Sequence, residues 1–423
     1  MLLKKNYYFK ISFFLITVWI FSAPHFSLFY LFSLKATNIF LLFPLIIFTL
    51  INIDGGIKLK RTYFFLCLFL LISLILPSLI SASLVSIIYA LILAFAIIFS
   101  FLIGYVIESK LFFNLLLYSS SLNFFFSLTQ IFNPYFKWPS THLNPTVYKE
   151  KPFSALSQYL PSLPSLGRIE GIFDENGPMV ISLLLISSIL FLYYLKNYNF
   201  FNFKDDYFML SRYKLKKINF IKIILILNLF LIFFTGSKLI LCIPFIFFLI
   251  RFDLKSSRFL KFNYSNKLIL IFFSIFLPTL FIGTTYYLSL EGNFTKLPFE
   301  LWRLPALKYR LTLFPEVLNN LSLFSGVGIK SSSNNSIDAV NGFIIYLISL
   351  GPFFSIGLFS IFSYAILSIT NSLTILVIFY LTTITAGSLF NFPNTLFFIF
   401  LGVMESNRAK FSILSNQINH RIG

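Results

Sequence analysis

The sequence predicts an all-α polytopic membrane protein with about twelve transmembrane helices and two long external loops. Three observations carry that expectation. Of its 423 residues, 58% are hydrophobic and 11% charged, and mean hydropathy is +0.87; a soluble domain carries about 25% charged residues. Apolar runs near the ~20 residues that cross a bilayer recur along the chain. Nearly all of the 33 lysines and arginines lie in the segments between those runs or at their ends. A net charge of +19 in such a chain reads as topology-setting charge beside anionic lipid, not as a nucleic-acid surface. The whole of 1–423 is expected to form one integral membrane domain.

Spans one and two are expected at roughly 11–33 and 37–53, after an N-terminus bearing Lys4, Lys5 and Lys10 that reads as a first anchor. Spans three and four follow at about 63–82 and 84–107, with Pro77 expected to kink the third. Span five, about 112–133, leads into a Pro-rich polar loop, 133–177. Span six is about 178–195, and the connector 196–220 is basic. Spans seven and eight, about 221–235 and 238–250, are joined by the turn Thr235-Gly236-Ser237-Lys238. Span nine is about 268–288, and the second long loop covers 289–340. Span ten begins at Asn341, and spans eleven and twelve lie at about 373–390 and 394–405. With the N-terminus inside, about two-thirds of the lysines and arginines fall in the inner segments. That places both termini in the cytoplasm and both long loops outside.

The second long loop is the charged exception in an apolar chain. It carries Arg303, Lys308, Arg310, Glu316, Lys330 and Asp338, and the pair Gly326-Val327-Gly328. In the first long loop, Arg168, Glu170, Asp174 and Asn176 precede span six. Arginine matches phosphate oxygens through a planar fork and stays charged near lipid. A lipid pyrophosphate is therefore the natural partner, weighed against ordinary exposed loop ion pairs that contribute only ~0–1 kcal/mol. Asp174 or Asn176 is also suited to cap span six, with Pro178 in its first turn. Lys238 is either a snorkelling lysine or a contact for lipid phosphate. The Gly pair is by itself a weak phosphate-cradle motif. Cys67 and Cys242 fall inside apolar spans and read as packing residues. His25, His142 and His420 are scattered, and the sequence has no HExxH, Cys/His cluster, Walker or Rossmann motif.

Arg168–Asn176, Thr235–Lys238, Arg303–Gly328 and Asn341–Gly351, in that order and at those helix borders, resemble the O-antigen polymerase/O-antigen ligase superfamily of bacterial inner membranes. The family shares an R-x-x-G-x-F-x-x-N segment leading into a span, a T/S-G-S-R/K turn, and an arginine-bearing large loop with G-x-G. An Asn-headed helix containing a glycine completes the set. The resemblance covers about 150–370. Departures are Lys238 where Arg is commoner, Glu175 where Pro is common, and Val340 where ligases carry a histidine. The last departure favours a polymerase over a ligase.

The resemblance implies polymerisation of undecaprenyl-pyrophosphate-linked oligosaccharide units at the outer face of the inner membrane, with no cofactor and no metal. It implies Arg310, Arg168 and Arg303 as cations on the pyrophosphate, and Asp338 as the leading candidate base. Lys238, Ser237, Asn176, Glu170, Asp174, Gly326, Gly328 and Asn341 are implied in substrate binding. A chain-length regulator and a flippase would be its protein partners. The rival expectations are a ligase, a lipid-linked glycan flippase and a structural envelope partner. A flippase usually lines its cavity with charge inside the spans, which this sequence does not show.

Overall fold

The computed structural model describes residues 30–31, 34–35, 61–81, 84–107, 109–132, 176–196, 207–210, 213–235, 242–256 and 349–386. It also describes 395–407, parts of 271–287, and residues 326, 328 and 346–347. Most of these residues are helical; besides turn and connecting residues, the rest form two short antiparallel hairpins, β1 (Tyr30–Leu31) with β2 (Leu34–Lys35) and β3 (Tyr207–Leu210) with β4 (Tyr213–Lys216). The helices are α1 (Arg61–Ile80), α2 (Leu84–Val106), α3 (Ser109–Phe132), α4 (Asn176–Lys196), α5 (Lys217–Phe234) and α6 (Cys242–Ser256). They continue with α7 (Pro352–Thr370), α8 (Leu373–Ala386) and α9 (Thr395–Asn407).

Three of these helices are long and apolar enough to cross a membrane: α2, Leu111–Gln130 of α3, and α7. The remaining helices hold shorter apolar stretches. Large apolar side chains point outward along whole faces. On α1 the exposed set is Phe65, Leu68, Phe69, Ile72, Leu76, Leu79 and Ile80, the three-and-four spacing of a single helix face. On α5 it is Ile223, Ile226, Phe230 and Phe233. Polar side chains occupy the interior instead, among them Ser78, Ser120, Ser127, Asn228 and Thr382. An apolar exterior around a core dotted with Ser, Thr and Asn suits lipid, where an outward leucine costs nothing and a polar group must find a partner inside.

Helix α1 packs on α2 and α7; α4 packs on α8, α5 and α6; α5 also packs on α3, and α8 on α6 and α7. The core is rich in phenylalanine. Phe359 and Phe362 of α7, Phe379 of α8 and Phe397 and Phe398 of α9 meet with ring centroids 5.2 to 6.5 Å apart, a favourable range for aromatic pairs. Tyr380 joins them and shares a 2.8 Å hydrogen bond with Ser363. Two residues connect α7 to α8. Asn371 adopts the left-handed conformation (φ 50°) and its N–H closes onto the Leu367 carbonyl, a common helix ending. Ser372 then accepts the Ile375 N–H at 3.2 Å and caps α8.

Backbones approach closely where α2 meets α9. A Cβ on Gly104 would collide with the Ile399 carbonyl, and one on Gly402 with the Phe101 carbonyl. Facing glycines let the two helices touch without side chains between them.

Several expected borders move. Tyr30 and Leu31 form a strand paired through Leu31 and Leu34, so span one cannot run to 33. The connector 196–220 contains the β3–β4 hairpin, where Leu210 pairs with Tyr213. Its alternation of Tyr, Leu and Lys suits a ribbon. Helix α5 starts at Lys217, directly from β4, and α6 runs on to Ser256, beyond the expected end at 250. Span ten is not one continuous helix. Residues 346–347 and 349–350 are helical, Gly351 turns to φ 81°, and α7 restarts at Pro352. Proline at the first turn needs no backbone donor, and the glycine takes a conformation closed to most residues.

Candidate functional site

Of the twelve residues that the sequence marks, three fall among the described ones. Asn176 is the first residue of α4, two residues ahead of the expected start of span six at 178. Gly326 is half-buried and Gly328 buried. Arg310, Arg168, Arg303, Asp338, Lys238, Ser237, Glu170, Asp174 and Asn341 lie outside the described residues.

Gly328 is held tightly. Its φ is +87°, and its N–H donates to the Ser349 carbonyl at 3.0 Å. A Cβ there would sit 2.5 Å from Ser81 Oγ and 2.6 Å from Ser86 Oγ. These serines flank the corner between α1 and α2, and Ser81 Oγ donates to the Ser78 carbonyl at 2.8 Å. The second glycine of the pair thus docks the large loop onto that corner and onto the segment before Gly351. Its amide is engaged with Ser349, so its part is anchoring rather than cradling a phosphate through that N–H. The Ser349 segment is braced in turn: Gly351 N–H reaches the Leu347 carbonyl at 2.9 Å, and Ser355 Oγ donates to the Tyr346 carbonyl at 2.8 Å.

A second polar feature lies inside the bundle, where the sequence reading had marked nothing. Asn228 of α5, with no exposed surface, donates through Nδ2 to Ser187 Oγ of α4 at 3.1 Å and to Ser120 Oγ of α3 at 3.3 Å. Ser120, Asn123, Ser127 and Gln130 continue along α3, all buried. Steps of three, four and three residues keep them on one helix face. That spacing was legible in the sequence, but serines in an apolar run are common and carried no charge to draw notice.

Buried polarity recurs at the end of α9. Glu405 is 2% exposed, and Ser406 and Asn407 are buried beside it. Glu405 lies in the neighbourhood of Tyr105 of α2, just past the Gly104–Gly402 crossing. By sequence, Glu405 is the last residue of the expected span twelve, at its border with the polar tail.

Among the described residues no group of three or more His, Cys, Asp and Glu could hold a metal ion. No family model, no curated protein and no solved structure matches this chain.

Proposed function

We propose that this protein is a membrane glycosyltransferase that polymerises lipid-pyrophosphate-linked oligosaccharide units into a surface polysaccharide. In this reading the chain crosses the bacterial inner membrane about twelve times, with both termini cytoplasmic and loops 133–177 and 289–340 outside. One observation carries the reading: the segments bearing arginine or Lys238 abut helix borders in a fixed order. Arg168–Asn176 runs into α4, Thr235 closes α5, and the large loop with Arg303 and Arg310 meets the α1–α2 corner through Gly328.

The chemistry asks for cations at those borders. An acceptor sugar hydroxyl attacks the anomeric carbon of the donor, the bond from that carbon to the pyrophosphate oxygen breaks, and lipid pyrophosphate leaves. The hydroxyl proton passes to a base, for which Asp338 is the first candidate and Glu170 and Asp174 the next. Negative charge grows on the leaving oxygen, and fixed arginines stabilise it more in the transition state than in the ground state. Arg310, Arg168 and Arg303 take that role here, with Lys238 and Ser237 supporting the phosphates. The apolar exterior of the described helices fits a protein whose substrate is itself a lipid.

The test is a surface-glycan ladder in cells lacking the gene and complemented with wild type or Arg310→Ala. A polymerase gives loss of the ladder with one repeat unit still attached, and Arg310→Ala, expressed normally, leaves it lost. Full-length chains accumulating on the lipid carrier would mark a ligase instead. A full ladder with Arg310→Ala would remove that arginine from the site.

A further inference from the structure

We propose that the seam between α3, α4 and α5 binds a neutral, hydroxyl-bearing ligand, with Asn228 as its recognition residue. The proposal requires the helix bundle and its lipid setting; it does not require the polymerase chemistry.

Asn228 leaves part of its amide over. Its bonds to Ser120 and Ser187 both use Nδ2. Its Oδ1 is buried and has no hydrogen-bond partner among the described residues, and Ser127 Oγ, also fully buried, has none there either. Side chains that serve only to join membrane helices satisfy one another across the interface. Here a carbonyl oxygen and a hydroxyl remain, and a buried acceptor calls for a donor.

The rest of the seam fixes the chemical class. Ser120, Asn123, Ser127 and Gln130 span about 15 Å of α3 at 1.5 Å per residue. All are neutral, and each both donates and accepts. A pyrophosphate or carboxylate would meet no cation among them. A row of hydroxyls suits the ladder, because each supplies one proton and accepts another. Two sources share that chemistry: the sugar hydroxyls of a lipid-linked glycan, and a file of ordered waters.

The test uses the full-length protein in nanodiscs of phosphatidylethanolamine and phosphatidylglycerol. One arm is pulsed radiolytic labelling in 18O-water, read on Ile224 and Leu231. These are buried residues one helical turn either side of Asn228, and buried Phe359 of α7 is the control. The other arm measures the Kd of polyisoprenyl pyrophosphate bearing one N-acetylhexosamine against the same lipid without sugar. Sugar hydroxyls in the seam predict about tenfold tighter binding of the sugar-bearing lipid, the equivalent of one buried hydrogen bond. Asn228→Leu and Ser127→Ala would each erode that preference. Water in the seam predicts labelling at Ile224 and Leu231 but not at Phe359, with equal affinity for the two lipids. An unlabelled wild type that also shows no sugar preference overturns the proposal, and that result needs no variant to fold.

Discussion

Gly328 shows how one residue can join a loop to a bundle. Its positive φ (+87°) and the two serine hydroxyls facing its missing Cβ act together. Alanine at this position must bear a conformation that costs about 1–3 kcal/mol for residues other than glycine. It must also displace Ser81 or Ser86. Gly328→Ala is therefore expected to lower the Tm of the purified protein in nanodiscs by several degrees. Gly283, which has nothing within 4 Å of an added Cβ and carries no positive φ, is the internal control. Gly283→Ala should leave stability within about 0.5 kcal/mol of wild type, and Tm nearly unmoved. Equal effects at the two positions would mean that Gly328 is not docked. At this scale the sequence is legible only in part. The pair Gly326-Val327-Gly328 stands out against apolar neighbours, yet its partners Ser81, Ser86 and Ser349 are far away in the chain. Small side chains carry no periodic signal of a tertiary contact, so the sequence shows a weak phosphate-cradle motif or a turn and not what the pair packs against.

Helices are the level at which the sequence speaks most clearly, because length and apolar run are both set by the bilayer. The expected span at 84–107 matches α2, Leu84–Val106, and the span at 112–133 falls within one residue of the end of α3, Phe132. Misreadings cluster where local chemistry overrides hydropathy. Gly351 and Pro352 divide an apolar run that hydropathy reads as continuous, and the alternating YFMLSRYKLK stretch pairs with itself. Which face of a helix meets lipid was not legible at all, since α1 is apolar on every side; packing against α2 and α7 decides it. That assignment is open to direct test. A membrane-partitioned photoactivatable carbene reagent should label Phe69 and Ile72 of α1, which are exposed, and spare Leu74, which is fully buried. Equal labelling of all three would mean that α1 does not pack as described. The α2–α9 crossing gives a second expectation. Gly104→Ala places a methyl group against the Ile399 carbonyl, and Gly402→Ala one against the Phe101 carbonyl. Overpacking of this kind costs typically about 1–3 kcal/mol. Because both substitutions strain one contact, the double variant should cost clearly less than the sum of the singles. Additive losses, read from thermal melts, would place the two glycines in separate environments.

For the molecule as a whole, the charge pattern and the packing constrain each other. The three helices of the polar seam, α3, α4 and α5, border the two segments that carry Arg168 and Lys238: the chain leaves α3 at Phe132, enters α4 at Asn176, and leaves α5 at Thr235. In the proposed twelve-span topology those three borders fall on one side of the membrane. The side is set by lysine and arginine, which hold short loops in the cytoplasm. The connector with Lys196, Lys204, Arg212, Lys214, Lys216 and Lys217 joins the opposite ends of α4 and α5, so it should be inside when loop 133–177 is outside. A chain with Cys67→Ser and Cys242→Ser, carrying either Lys151→Cys or Lys204→Cys, separates the two orientations. A membrane-impermeant maleimide added to cells with a permeabilised outer envelope should modify position 151 at once. Position 204 should react only after the inner membrane is broken. The reverse order would put Arg168 and Lys238 in the cytoplasm, away from any glycan assembled outside. The polymerase reading would then fail with the topology, while the hydroxyl seam between α3, α4 and α5 would stand unchanged.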